Sequence, residues 1–416
     1  MPNPLAFIGE VSPAQRRTLL AAALGWMLDA FDVMLYSLVV AFIMRDLHMS
    51  KQSAGLLNSL TLLASGIGGV LFGFIADRVG RTRALMLSIL TYSVCSFASG
   101  LANSVLLLAF FRFVLGLGMG GEWNSGATLV AETWPTHMRA RAIAVVQSSW
   151  AVGYALAALV AGIMLPRTSW RYVFFVGVLP ALITLWIQKG VPESELWKAK
   201  QGQTGPQAKT DAEPGFADLF GPRYRTKTLT LLIMNSFGMF GWWGLFTWIP
   251  PYLSLPISQG GRGFGALSTT TLLVFLNLAG MAPGYATYGW VADRLGRRPA
   301  FMLYTISAAA LVPIYAAARQ PAILLVLGAV VAFFGTGLFT GSGIIGSELF
   351  PTSVRARALG FTYNGARAMS SLAPFTIGRI GQQHGLDSAF YVCAAAFLLS
   401  GLVAIFIPET RGTELT

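Results

Sequence analysis

Charged residues are scarce in this sequence. Asp, Glu, Lys and Arg make up only 11% of its 416 residues, whereas hydrophobic residues make up 55%, and the mean hydropathy is +0.62. A soluble globular domain carries about 25% charged residues. The composition therefore predicts an integral membrane protein and excludes a disordered chain or a nucleic-acid-binding protein. In a membrane protein, the formal net charge of +12 is expected to report on topology.

Cysteine and histidine are equally rare. The two cysteines, Cys95 and Cys393, lie inside apolar segments, where they are expected to pack as small hydrophobic side chains. The three histidines map to loops or their edges, so the sequence predicts no histidine-based catalytic cluster, no metal site and no cofactor. The sequence therefore predicts a protein that is not an enzyme, and a membrane enzyme is kept as a further alternative. The histidines are His48, His137 and His384.

Long apolar segments are abundant. A helix needs about 20 residues to cross roughly 30 Å of hydrocarbon, and continuous rather than alternating apolar segments favour helices over barrel strands. We therefore predict an all-α membrane protein with twelve transmembrane helices. The predicted spans cover residues 19–44, 54–76, 84–101, 104–130, 143–165, 172–187, 229–255, 267–292, 300–318, 323–347, 356–380 and 389–407.

The basic residues are unevenly distributed between the two sides of this arrangement. One side holds 20 Lys and Arg residues and the other holds 7, while Arg112 and Arg367 fall within spans. The positive-inside rule predicts that both termini are cytoplasmic, in a cell (inner) membrane. Residues 1–190 would form an N-terminal six-helix bundle, residues 191–228 a cytoplasmic linker, and residues 229–416 a C-terminal six-helix bundle.

The chain repeats itself at a fixed offset of 216 residues. Three separate loop motifs recur in register, which indicates duplication and two pseudo-symmetric bundles. The recurring pairs are Asp77-Arg78-Val79-Gly80-Arg81 with Asp293-Arg294-Leu295-Gly296-Arg297, the set Glu132, Arg139 and Arg141 with Glu348, Arg355 and Arg357, and Pro192-Glu193 with Pro408-Glu409.

These motifs resemble those of the major facilitator superfamily (MFS). Gly73-x-x-x-Asp77-Arg78-x-Gly80-Arg81-x-Arg83 is similar to the loop between its second and third spans, and Arg112-x-x-x-Gly116-x-Gly118 to its fourth span. The resemblance implies two bundles that rock about a central site. Acid and arginine pairs at the loops could form in one state and break in the other, or could serve only topology. The gating candidates are Asp77, Arg81, Glu132, Arg139, Arg141, Glu193, Asp293, Arg297, Glu348, Arg355, Arg357 and Glu409.

Shorter motifs point to branches of that superfamily. Pro192-Glu193-Ser194 and Pro408-Glu409-Thr410-Arg411-Gly412 resemble the sugar-porter branch, but its paired glutamines in the seventh span are absent. Asp29-Ala30-Phe31-Asp32 and Gly120-Gly121-Glu122-Trp123 resemble the organic-acid proton symporters of the sialate, lactate and aromatic-acid groups. The resemblance therefore implies transport of a small organic anion, with sugar or polyol symport as an alternative.

Five charged residues fall inside the predicted spans: Asp29, Asp32, Arg112, Glu122 and Arg367. Each would cost about 2.5–3.5 kcal/mol near mid-membrane if unpaired, so they must face partners or a wet cavity. None has a charged counterpart 216 residues away, which favours a functional role over structural ion pairs. We predict that Asp29, Asp32 and Glu122, with Arg112 as a switchable partner, couple transport to protons, and that Asp32 or Asp29 carries the proton.

Arg367 has no acid nearby in its own half of the sequence. A guanidinium can hold a carboxylate with two parallel hydrogen bonds, so we predict that it anchors an anionic substrate. A structural bond to the carbonyls of a broken helix is the alternative. Further candidate substrate-binding residues are Asn364, Gln147, Asn235, Trp248 and Tyr36.

Together these features predict a secondary active transporter that performs proton-coupled symport of a small carboxylate, such as a lactate-like, sialate-like or aromatic acid. Its expected partners are this anion, protons and the lipid bilayer, without nucleic acid, and a monomer is expected. The alternatives are a proton-coupled sugar or polyol symporter and a membrane sensor that does not transport.

Overall fold

The computed structural model describes residues 9–195, 197–198 and 216–412, and within these residues the chain is helical and contains no strand. The helices follow the order of the twelve predicted spans. Spans one to six are Pro13–Asp46, Lys51–Val79, Arg81–Gly100, Val105–Thr133, Thr136–Met164, and the pair Trp170–Val176 and Ala181–Gly190.

Spans seven to twelve begin after a short 3₁₀ helix at Phe216–Phe220. The seventh span is Arg225–Ser254, the ninth Arg297–Ala317 and the tenth Pro321–Leu349. The eighth consists of Ala266–Phe275, a π-helical turn at Leu276–Met281, and Ala282–Leu295; the eleventh of Thr352–Ser370 and Leu372–His384; and the twelfth of Leu386–Val403 with the 3₁₀ turn Ala404–Phe406.

Ten of these spans in the described chain are long and apolar enough to cross a membrane. The third and eleventh spans do not reach that hydropathy because serine, threonine, arginine and amide side chains interrupt their apolar segments. Polar residues are tolerated where a helix is covered by other helices instead of lipid. The prediction of an all-α protein with twelve helical segments is therefore confirmed, whereas the boundaries of the two bundles and linker stay a prediction. Residues 196 and 199–215 of that linker lie outside the described residues.

Local sequence signals explain where the spans begin and end. Serine side chains cap the first, second and fourth spans, from Ser12, Ser50 and Ser104, because a hydroxyl can accept the free N–H groups of a first turn. The repeated motif glycines, Gly80 and Gly296, end the second and eighth spans with φ of +109° and +103°. Only glycine adopts such angles without strain, so the motif is a helix stop in both halves.

Glycines also allow close packing inside the first half. A Cβ added to Gly116 or Gly120 of the fourth span would collide with the backbone carbonyl groups of Thr61 or Ser65 of the second span. Small residues at this spacing let two helices approach closely where lipid offers no hydrophobic driving force.

The two halves meet mainly along two pairs of spans, the second with the eleventh and the fifth with the eighth, and the first span also contacts the seventh. We call the end that carries residues 77–83 and 293–298 the proximal face, and the end that carries residues 45–51 and 257–265 the distal face. The predicted orientation, which stays a prediction, places the proximal face in the cytoplasm.

Hydrogen bonds join the two halves on the distal side. The amide of Asn58 donates to the Thr247 hydroxyl at 3.0 Å, and the backbone N–H of Phe375 donates to the Ser59 hydroxyl at 3.1 Å. The Lys51 ammonium donates to two backbone carbonyls of the second half, those of Gln259 and Gly381. Together these bonds connect the two bundles on the distal side.

Candidate functional site

A small cavity lies between the two halves, near the middle of the helices. Its volume is about 10 Å³, which is roughly the space that one water molecule needs. Both halves contribute to its wall: Trp26, Gln147 and Trp150 come from the first half, and Met239, Trp242, Trp243, Tyr285, Phe339, Tyr363 and Arg367 come from the second half.

Aromatic rings form most of this wall, and four of them are tryptophans. Trp150 lies at the centre of the group, with its ring centroid 4.7 Å from that of Trp26, 6.1 Å from that of Trp242 and 6.0 Å from that of Trp243. Aromatic rings prefer such offset and edge-to-face contacts with one another and with ligands. The wall is therefore suited to contact with the flat face of an unsaturated molecule.

Arg367 supplies the positive charge of the cavity. It is 2% exposed, and its Nε and Nη2 atoms have no hydrogen-bond partner among the described residues. Gln147 supplies an amide, whose oxygen accepts a hydrogen bond from Trp26 Nε1 at 3.0 Å. A buried guanidinium with free N–H groups requires an acceptor, and a carboxylate matches its geometry.

Arg367 has acidic neighbours in the other half of the molecule. Asp29 and Glu122 of the first half lie close enough to interact electrostatically with it. Among the described residues, no ion pair within 4.0 Å joins Arg367 to Asp29 or Glu122. The ion pairs that do form involve other residues. The sequence concealed this proximity because the acids and the arginine belong to different halves.

The three acids of the first half are completely buried. Asp29, Asp32 and Glu122 are each at most 1% exposed. Asp32 accepts a hydrogen bond from the Ser96 hydroxyl at 2.8 Å, whereas neither carboxyl oxygen of Asp29 has a partner among the described residues. Asp32 is thus directed toward the third span.

Arg112 does not form the predicted ion pair with Asp32 in this structure. Its Nη2 donates to the backbone carbonyl of Val33 at 3.4 Å, and its guanidinium carbon lies 5.0 Å from the ring centre of Tyr36. The hydrogen bond with Ser96 holds Asp32 on another side of its helix. Asp32 and Arg112 interact electrostatically without forming an ion pair in this conformation, and the switchable pairing stays a prediction.

Four of the six predicted substrate-binding residues lie outside the cavity wall. The Tyr36 hydroxyl donates to the Ala54 carbonyl at 2.8 Å, and Trp248 Nε1 donates to the Pro374 carbonyl at 2.9 Å. Asn364 donates to Gly360 one turn earlier, and Asn235 is buried elsewhere in the seventh span. Backbone carbonyls thus hold three of these side chains away from the cavity, while Arg367 and Gln147 do line it.

Several wall residues escaped the sequence analysis. Trp26 precedes Asp29 by three residues, and Trp150 follows Gln147 by three residues. Residues three apart share a helix face, so the position of the polar residues could have identified both tryptophans. Tyr285 and Phe339 carry no comparable signal, because no charged or amide side chain lies within four residues of either.

The gating candidates form two matching clusters at the proximal face. Arg81 pairs with Asp77 and, at 3.3 Å, with Glu132. Its counterpart Arg297 pairs with Asp293 at 2.6 Å and with Glu348 at 2.9 Å. Each cluster lies within one half, so these ion pairs fasten the spans of one bundle together.

The remaining gating candidates follow the same repeat. Arg139 donates to the Trp134 carbonyl at 2.9 Å, and Arg355 donates to the Phe350 carbonyl at 3.0 Å. Glu193 accepts hydrogen bonds from the backbone N–H groups of Arg81 and Thr82 at the start of the third span. Arg141 and Arg357 occupy equivalent positions in the second turn of the fifth and eleventh spans.

Glu409 repeats the role of Glu193 in the second half. It accepts hydrogen bonds from the backbone N–H groups of Arg297 at 2.8 Å, Arg298 at 3.1 Å and Arg411 at 2.9 Å. Burial alone would raise the pKa of Glu409, but these N–H donors lower it, and the net result is a pKa below the ordinary value of 4.5.

Glu409→Gln is therefore expected to lower thermal stability at neutral pH. Because the folded-state pKa is lower than the unfolded-state pKa, the stabilisation is fully present above pH 4.5 and is lost as the pH falls through the folded-state pKa. The side chain is exposed, so we expect a decrease of at most about 2 °C in Tm. Thermal unfolding of purified parent and variant from pH 7 to acid measures it, with exposed Glu10→Gln as the control. An equal difference at all pH values would contradict this origin.

Comparison with known proteins agrees with the architecture. The model of the Major Facilitator Superfamily matches residues 22–261 and 261–415. The chain is 32% identical to a probable 4-methylmuconolactone transporter of Cupriavidus pinatubonensis over 97% of this chain and 93% of that one, and 31% identical to the cis,cis-muconate transport protein of Acinetobacter baylyi over 94% of each.

A solved structure has the same fold. The inward open xylose transporter XylE from E. coli superimposes with a TM-score of 0.73 and 19% sequence identity, covering 96% of this chain and 98% of that chain. Helix order, internal repeat and proximal motifs lead to the same result as these comparisons. The chain is a multi-pass membrane protein that belongs to the Major Facilitator Superfamily, a family of transporters and not of enzymes.

Proposed function

We propose that this protein carries a small, flat organic anion across the membrane together with a proton. The observation that supports this proposal most directly is the Arg367 guanidinium, which is buried in a cavity between the bundles and has two nitrogen atoms without partners among the described residues. The guanidinium complements the charge of a carboxylate, and the aromatic wall of the cavity offers contact area to the planar part of the anion.

The names of two relatives fit the same chemistry. One is named for cis,cis-muconate and the other for 4-methylmuconolactone, and both compounds are unsaturated. For this chain we favour an aromatic or unsaturated carboxylate over a lactate-like or sialate-like one, because rings rather than hydroxyl and amide groups form most of the wall.

The central cavity must enlarge before it can hold such an anion. Its volume of about 10 Å³ is far below the 300–1,000 Å³ of typical small-molecule sites. The ion pairs within each bundle favour a movement of two rigid halves relative to each other, and the distal hydrogen bonds between the halves would break when the distal side opens. Such a movement would open the cavity to one side at a time.

Asp29 is the better candidate for the proton carrier. It interacts electrostatically with Arg112 of its own half and with Arg367 of the other half, whereas Asp32 has no interaction with Arg367 among those described. The protonation of a coupling acid must depend on the relative position of the two bundles. Only an interaction with a group of the other bundle creates this dependence.

This arrangement suggests how anion and proton could travel together. Without substrate, the charge of an ionised Asp29 would balance the charge of Arg367 across the boundary of the bundles. A bound carboxylate would neutralise Arg367, and Asp29 would then take up a proton more readily. The loaded site would carry no additional net charge, which lowers the cost of enclosing it between the bundles.

Uptake into proteoliposomes tests the proposed function. Under an inside-alkaline pH gradient we expect accumulation of gentisate (2,5-dihydroxybenzoate), with less uptake of lactate, sialic acid and xylose. A monoanion that moves with one proton is electroneutral, so one pH unit supports about tenfold accumulation. Protein-free liposomes give the passive permeation of each compound.

The outcomes separate the alternatives. Xylose uptake without uptake of any of the three acids would indicate a sugar symporter. Absence of transport of all four compounds would contradict the proposal and favour a non-transporting sensor.

A further inference from the structure

A second, much larger cavity lies at the distal face. Its volume is about 550 Å³, and it is enclosed by the first and fifth spans on one side and the seventh and eighth spans on the other. Leu38, Phe42, Ala158, Leu165 and Leu273 are among its apolar lining residues. In contrast to the central cavity, this volume falls within the range of small-molecule sites.

The two cavities are stacked along one face of the fifth span. Trp150 lines the central cavity and Ala158 lines the distal cavity, and Tyr154 lies midway between them. Residues four apart are neighbours on one helix face, about 6 Å apart along the axis. The distal cavity therefore lies beyond the central site along this helix, with about two turns, or about 12 Å, between Trp150 and Ala158.

A hydrogen bond between the two bundles lies at Tyr154, between the two cavities. The Tyr154 hydroxyl donates to the backbone carbonyl of Phe246 at 3.3 Å. That carbonyl lacks its usual helical partner because residue 250 is a proline, which has no N–H to donate. Pro250 thus leaves the Phe246 carbonyl available as an acceptor. The Tyr154 side chain that bonds to it separates the two cavities, and we call it the Tyr154 partition.

The charge of the distal cavity favours an anion. Arg45 belongs to its lining and is exposed, and no described residue accepts a hydrogen bond from it. Asp46, its neighbour, forms an ion pair with Arg171 at 2.6 Å and interacts with Arg45 electrostatically without an ion pair. The distal loops and helix ends carry seven basic residues and only two acids, Asp46 and Asp387, so the local field attracts negative charge.

We propose that the distal cavity is a second binding site for the transported anion, in which Arg45 contacts the carboxylate and the apolar wall contacts the rest of the molecule. The anion would bind there before the Tyr154 partition opens toward Arg367. This inference rests on the proposed transport of an organic anion and on the predicted orientation, which makes the distal face external.

Equilibrium binding to the purified protein in lipid nanodiscs tests the proposal. With radiolabelled gentisate we expect one binding site to persist in Arg367→Gln. In the double variant that also carries Arg45→Gln, the affinity of this site should fall about two- to fivefold, which is the effect of losing a partly exposed ion pair. The uncharged 2,5-dihydroxybenzamide should bind the single and the double variant with the same affinity. Thr269→Trp, which fills the distal cavity, should remove the persisting site.

The controls distinguish this inference from the proposed function. Arg319→Gln removes the same charge from an exposed position of the distal face and should leave binding unchanged. If Arg367→Gln binds no gentisate while the parent does, the distal site is overturned and the proposed function stands. A lipid that occupies the distal cavity would give the same result. If the parent neither binds nor transports any tested carboxylate, the proposed function itself fails.

Discussion

Arg367→Gln is expected to reduce carboxylate uptake at least about a hundredfold. Two hydrogen bonds from a charged donor contribute about 1.5–3 kcal/mol each, and each 1.4 kcal/mol corresponds to a factor of ten. Arg367→Lys keeps the charge but loses the paired geometry, so we expect its KM to rise about tenfold. Initial rates of gentisate uptake into proteoliposomes measure both effects.

A loss of folding would not explain this result. Arg367 is 2% exposed and has two unpartnered nitrogens, so its removal should leave thermal stability unchanged or raised. Arg379→Gln is a matched control, since Arg379 is an exposed arginine of the same span, and it should retain uptake. An Arg367→Lys variant with a KM within twofold of the parent value would exclude Arg367 as the anchor of the carboxylate.

The second large effect is expected at Asp29. Asp29→Asn should abolish accumulation driven by a pH gradient, because asparagine cannot exchange a proton. It should preserve exchange of labelled for unlabelled substrate, which requires only movement of the loaded site. Parallel assays of accumulation and of counterflow in the same proteoliposome preparation measure the difference.

Asp32→Asn provides the comparison. Asp32 is hydrogen-bonded to Ser96 and has no described interaction with Arg367, so we expect this variant to retain part of its accumulation. If Asp32→Asn abolishes accumulation and Asp29→Asn does not, the carrier of the proton is Asp32 and our choice between the two acids is wrong. Retained accumulation in both variants would contradict proton coupling through the first span.

The membrane made most of the fold predictable. Hydrocarbon requires each spanning segment to be apolar and to satisfy its own backbone groups, so the segments are visible in the sequence as uninterrupted hydrophobic stretches. The helix stops at Gly80 and Gly296 were visible as well, because they recur with their partner charges at a constant offset.

The site itself was only partly predictable. Arg367 and Gln147 stood out as polar groups in apolar helices and do line the cavity. Tyr36 and Trp248 could not be placed, because in a helix that is apolar on all sides the sequence does not reveal which face meets which neighbour. The approach of Asp29 to Arg367 arises from packing between the halves, which no local pattern encodes.

The matching clusters around Arg81 and Arg297 have a consequence for how such carriers diversify. The positions that fasten each bundle are duplicated, whereas the charges near the cavity occur once. Substitutions around the cavity can therefore alter the cargo without weakening the moving parts. Two relatives that share about a third of their residues with this chain are named for two different compounds.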